Sequence, residues 1–116
     1  MKEIRCKTRI LLHSAEGDPQ ECHGFGKGTA LLLQGIRDHG SLNRTTKEMG
    51  MAYSKAWRIL RQTEAEFGIQ LVDRDGAHGS RLTEEGEYWL THYQEMVEAA
   101  NNAAQEVLEK YFSRQE

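Results

Sequence analysis

The sequence predicts a mainly α chain with a small β component, on the strength of three observations. Apolar residues recur at helical spacing in three consecutive stretches between residues 27 and 67, and each stretch is closed by a glycine: Gly40, Gly50 and Gly68. Two short strand candidates, Leu71-Val72 and Arg81-Leu82, flank the turn-forming segment Asp75-Gly76-Ala77-His78-Gly79. From Glu84 onward no helix breaker intervenes apart from Gly86 in the first turn.

Composition sets the frame. The chain has 116 residues, 38% hydrophobic and 28% charged, with one proline and no low-complexity tract. That suits one globular unit with a small core. No stretch approaches the ~20 apolar residues of a membrane span, and Met1-Lys2-Glu3-Ile4 does not open a secretory signal. The expectation is a soluble, cytoplasmic protein with no membrane partner. Cys6 and Cys22 have no CxxC spacing, and with His23 they make too irregular a set for a metal, so reduced thiols and no metal are expected.

At the start, Ile4, Cys6, Thr8, Ile10 and Leu12 alternate with Arg5, Lys7 and Arg9, the period of a half-buried strand. Gly17-Asp18-Pro19 turns the chain, and a second strand over 20–25 would return antiparallel. "GFGKG" over 24–28 lacks the GxxxxGK[ST] spacing and a preceding buried strand, which excludes a phosphate loop of that type. A first helix runs from Lys27 to His39, with Gly40 as its stop. Ser41 caps a short second helix, Leu42–Met49, and Gly50 leads into a third, Tyr53–Phe67. Two short helices across a tight glycine turn make a helix-turn-helix.

The third helix divides by face. At 100° per residue Ala56, Leu60, Thr63 and Phe67 share one side, with Trp57 and Ile59 at its borders. Ser54, Arg58, Arg61 and Gln62 share the other, flanked by Lys55. Hydroxyl, cation and amide are the groups that meet phosphates and base edges in a major groove. The following hairpin supplies Arg74, His78 and Arg81 as further phosphate candidates, against Asp73 and Asp75, which repel phosphate.

Thr83 caps the last helix and Glu84-Glu85 suit its positive end. Leu90, Tyr93, Val97, Ala100, Ala104, Val107 and Tyr111 then recur at alternating steps of three and four, broadened by Met96, Ala103, Leu108 and Phe112. A heptad seam this long predicts pairing with a second copy; the alternative is folding back onto the winged domain, which is expected to take the first half of the helix in either case. The division expected is 1–82, N-terminal strands plus winged helix-turn-helix, and 83–116, a dimerisation helix. Charge follows the same division: residues 1–28 carry +1, 29–82 carry +2 and 83–116 carry −6. Within 40–61, Arg44, Lys47, Lys55, Arg58 and Arg61 face only Glu48.

Gly40-Ser41-Leu42, Met49-Gly50-Met51, Tyr53 with Ala56-Trp57, Phe67-Gly68, Leu71-Val72 and Leu82-Thr83-Glu84-Glu85-Gly86 together resemble the winged helix-turn-helix of ModE-type, molybdate-responsive regulators. More distantly they resemble the DNA-binding domain of LysR-type regulators. Tyr53 with Ala56-Trp57 tilts the resemblance to the ModE type, and "FGKG" at 25–28 extends it over roughly residues 4–95. Thr45 and Thr46 depart from the alanines common there, and Ala52 from the serine that usually caps the recognition helix, leaving Ser54 or the turn to compensate. The molybdate-sensing domains follow the DNA-binding domain in ModE-type regulators, whereas this sequence ends at Glu116, so neither molybdate nor another cofactor is expected.

The resulting expectation is a homodimeric, sequence-specific regulator of double-stranded DNA. Tyr53, Ser54, Lys55 and Arg58 would contact bases, and Arg44, Arg61 and Arg81 phosphates. A winged helix that binds protein and not DNA is the alternative. No nucleophile motif or paired carboxylates suggest an enzyme.

Overall fold

A computed structural model of the chain describes residues 2–74 and 79–112. Its helices lie where the apolar periodicity puts them: α1, Lys27–His39; α2, Leu42–Met49; α3, Tyr53–Phe67. Ser41 Oγ accepts from Arg44 N at 3.1 Å, capping α2, and Gly40, Gly50 and Gly68 end the three helices at positive φ, where a side chain would be strained. A two-stranded antiparallel sheet follows, β1 (Val72–Arg74) and β2 (Ser80–Leu82), with Val72 opposite Leu82 and Asp73 opposite Arg81. The last element is α4, Glu84–Phe112, whose start is capped by Thr83 Oγ1 accepting from Gly86 N at 2.9 Å.

One core joins these elements. Leu32, Leu33 and Ile36 of α1 meet Leu42 of α2, Ala56 and Leu60 of α3, Leu71 and Val72 of the hairpin, and Leu90 and Tyr93 of α4. Burying each large aliphatic side chain is worth about 1.5–3 kcal/mol, so this set outweighs any single cap. The crossing of α1 and α2 is unusually close. A Cβ on Gly35 would lie 2.2 Å from Thr45 Cγ2. That glycine leaves room for Thr45, and both threonines bond back to the helix: Thr45 Oγ1 donates to Ser41 O at 2.8 Å and Thr46 Oγ1 to Asn43 O at 2.9 Å. β2 docks on the helix-turn-helix through Ser80 N, which donates to Gly40 O at 3.1 Å.

Two expectations need correction. The N-terminal strand pair reduces to one bridge, Leu12 with Phe25, closed by Leu12 N to Phe25 O at 2.9 Å and Phe25 N to Leu12 O at 2.7 Å. Residues 2–11 have no strand partner among the described residues and run along α4. There Thr8 N and Thr8 Oγ1 both donate to Asn101 Oδ1, and Tyr93 OH donates to Ile10 O at 2.8 Å. Helix side chains thus satisfy part of the backbone that a second strand was expected to pair. Period-two alternation reports extended backbone and is silent about what pairs with it.

The second correction concerns the seam of α4. Leu90 and Tyr93 are 0% and 4% exposed inside a single chain, packed in its own core, so they are not available to a second copy. Val97 also packs against that core. Heptad spacing marks an apolar stripe and does not distinguish its own domain from a partner. α4 has 29 residues, about 44 Å at 1.5 Å per residue, and only its first half is covered by the helical core.

The Gly35–Thr45 crossing makes a sharp prediction. Gly35→Ala should lower stability by about 1–3 kcal/mol through overpacking, and Thr45→Ala in the same chain should recover most of it. Urea unfolding of the wild type, the two single variants and the double variant measures this coupling.

Candidate nucleic-acid interface

Ala56, Leu60 and Thr63 of α3 are buried and Trp57, Ile59 and Phe67 half-buried, which leaves the opposite side of the helix outward. Burial of the apolar side therefore sets the azimuth of every residue on the outer side. Ser54, Lys55 and Arg58 are exposed there, and among the described residues no hydrogen bond or ion pair engages their side chains. Tyr53, at 39% exposure, stands at the border and meets the Trp57 ring edge-on, centroids 6.3 Å apart. Arg61 continues that column, its guanidinium carbon 5.4 Å from the Trp57 ring centre. Tyr53, Trp57 and Arg61 follow one another at steps of four, a ladder that orients Arg61 along the flank of the helix.

The start of α3 is open. Its N-cap is Ala52, which offers no side-chain cap, and Ser54 does not replace it. No acid stands in the first turn, so no carboxylate of the helix itself offsets the positive end of its dipole. An anion at this end gains from it.

The other predicted cations surround this helix unevenly. Arg44 on α2 is exposed and lies 3.6 Å from Glu48, whose other oxygen is 2.8 Å from His39 Nε2. An exposed pair at that distance is worth about 0–1 kcal/mol, weak enough for a phosphate to displace. Arg81 is exposed on β2 opposite Asp73. The turn 75–78, with His78, lies outside the described residues, as does the Arg74 side chain. Among the described residues no cluster of three His, Cys, Asp or Glu is arranged to hold a metal, and no helix is long and apolar enough to cross a membrane.

Two residues that hold this geometry escape a reading of the sequence. Glu64 Oε2 accepts from Leu71 N at 2.7 Å and Val72 N at 3.4 Å, fastening the hairpin to α3. Glu66 accepts from Gly24 N at 3.1 Å and Ser14 N at 3.0 Å, fastening the loop before α1. The bond from Gly24 foremost, with those from Ser14 and His23, holds the Glu66 carboxyl below its ordinary pKa despite partial desolvation. On a helical wheel both look like ordinary surface charges, because their partners are backbone amides that carry no sequence signal.

Part of the chain matches one family model. Residues 31–87, a little under half of the chain, match the family described as bacterial regulatory helix-turn-helix protein, lysR family. The match runs from within α1 to the first turn of α4, and it falls on the more distant of the two resemblances, not on the ModE type. Among solved structures the chain is similar to CbnR, a LysR family transcriptional regulator, at 19% identity and a TM-score of 0.56 over 72% of this chain. It spans 29% of the length of that protein. It is equally similar, at 19% identity and a TM-score of 0.56, to the CbnR DBD in its complex with DNA, covering 67% of this chain and 88% of that one. At this identity the likeness is one of fold. No curated protein sequence is significantly similar to the chain.

If Glu64 fastens the hairpin, Glu64→Ala should cost about 1–3 kcal/mol by leaving two amides without their acceptor, whereas Arg58→Ala should stay within about 0.5 kcal/mol of wild type. Thermal and urea unfolding of both variants, with amide hydrogen exchange at Leu71 and Val72, checks the contrast.

Proposed function

We propose that the chain is a DNA-binding transcriptional regulator that reads the major groove with α3. The observation that carries this reading is the outward side of α3: Ser54, Lys55 and Arg58 stand exposed and, among the described residues, unengaged beside an acid-free helix start without a side-chain cap. The lysR-family match over 31–87 and the fold shared with the CbnR DBD–DNA complex support it. Tyr53, Ser54, Lys55 and Arg58 take base edges in this reading. Arg44, Arg61 and Arg81 take phosphates on either side. The ModE-like pair Ala56-Trp57 then has a role without any oxyanion: Ala56 lets α3 pack closely, and Trp57 carries Arg61.

The same reading includes a homodimer through the far part of α4. Of the predicted seam, Ala100, Ala104, Val107 and Tyr111 remain for a partner once Leu90 and Tyr93 are assigned to the core. Met96, Val107 and Tyr111 are 42%, 56% and 68% exposed, and with Ala100 and Ala103 they share one side of the helix. The N-terminal arm lies on a neighbouring side, where Ile4, Leu108 and Phe112 line one hollow. A twofold dimer calls for a near-palindromic site with half-sites about 34 Å apart or a multiple of it.

The test of the first claim is fluorescence anisotropy on the duplex upstream of the protein's own gene and on a scrambled duplex, across a salt series. Arg58→Ala should lose about 1–3 kcal/mol on the specific duplex and flatten the preference, and Arg61→Ala should weaken both duplexes and reduce the salt slope by about one. No binding to either duplex at low salt would refute the reading and favour a protein-binding winged helix.

Dimerisation is tested by sedimentation. Val107→Glu with Tyr111→Glu should convert a dimer to a monomer without altering the unfolding of the core. Loss of the paired half-site advantage, about 10²-fold or more, should follow.

A further inference from the structure

Lys7 and Arg9 on the N-terminal arm and Lys27 at the start of α1 are far apart in sequence, yet they line one groove of about 380 Å³ against α4. Val97 contributes apolar surface to it, the buried Tyr93 lies at its edge, and Glu98 is its carboxylate. Three cations against one carboxylate leave this groove with two positive charges in excess. Among the described residues no ion pair engages Lys7, Arg9 or Lys27, and the first turn of α1 holds no acid. Repulsion is evident in Lys27, whose ammonium is held below its ordinary pKa by contact with Lys7 foremost, then by partial desolvation and the charge of Arg9. Gathering like charges around an apolar hollow opposes folding unless an anion occupies it.

We propose that this groove binds a phosphate group, free or as the head of a small monoester, held by Lys7, Arg9 and Lys27 with Val97 against the body. A phosphate monoester carries a charge of about −1.5 to −2 at neutral pH, which matches the excess of two. Position separates this site from the DNA-reading end, an argument that rests on the function proposed above. Thr29 meets Thr63 at 3.4 Å and Thr63 Oγ1 donates to Gly24 O at 3.0 Å, so the start of α1 lies beside the last third of α3. That is about 15 Å along the helix from Tyr53, at the end away from the proposed base contacts. The bound phosphate would tie the arm, held on α4 by Thr8 and Asn101, to α1. It is therefore positioned to act as an effector of the arm and not as part of the DNA contact.

The experiment uses the full chain in low-salt buffer with phenyl phosphate, inorganic phosphate, or sodium chloride at matched ionic strength. Phenyl phosphate should raise Tm by about 3 °C or more at saturation and shift the amide resonances of residues 7–9, 26–28 and 97–102. Lys27→Gln should raise Tm without phosphate, by relieving repulsion, and lose about tenfold in affinity for phenyl phosphate; Lys7→Gln with Arg9→Gln should do the same from the arm. Affinity should also fall as pH drops below about 6, where the phosphate takes up its second proton. An equal effect of inorganic phosphate identifies the free anion as the source and supports the site. If sodium chloride reproduces the Tm rise, if Lys27→Gln leaves the affinity unchanged, or if a random duplex shifts these amides while phenyl phosphate does not, the proposal is overturned. Failure of the DNA-binding reading registers separately, as wild-type anisotropy, and leaves the phosphate titration intact.

Discussion

Phe25 is where the structure converges. Fully buried, its ring lies 5.0 Å from Tyr93 and 5.7 Å from Trp89 of α4, and Trp89 in turn lies 4.8 Å from Phe67 at the end of α3. Its backbone makes the bridge to Leu12 that returns the N-terminal arm to the domain. The segment entering α1, the end of α3 and the first half of α4 therefore share one aromatic junction, and aromatic pairs at such separations are worth about 0.5–1.5 kcal/mol each beyond the area they bury. The Tyr93 hydroxyl extends the junction outward by donating to Ile10 O.

The orientation of α3 follows from what the junction and the aliphatic core demand. Phe67 is held at one end and Ala56, Leu60 and Thr63 are buried along one side, so rotation of the helix would expose apolar surface. A missing cap at Ala52 costs about 1 kcal/mol, less than burying one leucine contributes, so packing prevails and the helix start remains open. The same open start suits the function proposed for it. Glu64 and Glu66 perform a complementary task from the half-buried border of the helix, each converting a carboxylate into a clasp for backbone amides of the next segment.

Charge is distributed along the same architecture. Lys55, Arg58 and Arg61 lie on the outer side of α3, while Glu95, Glu98, Glu106 and Glu109 populate α4 as it leaves the core. At physiological ionic strength fields decay over about 8 Å, so the acidic far half of a 29-residue helix has little influence at the basic surface. A net charge of −3 is thus compatible with a locally positive face.

Local chemistry in the sequence determined the elements themselves. Gly40, Gly50 and Gly68 stop three helices, Ser41 and Thr83 start two, and apolar periodicity assigns the buried side of α3, because caps and amphipathic stripes act within a few residues. What those stripes pack against was decided only in three dimensions. Residues 4–12 alternate like a strand but lie on a helix, Leu90 and Tyr93 repeat like a dimer seam but complete their own core, and Lys7, Arg9 and Lys27 become neighbours only when the arm folds back. Periodicity states that a face is apolar or extended. The choice of partner depends on long-range packing, on close approaches such as Gly35 to Thr45, and on backbone amides that have no residue-specific signature.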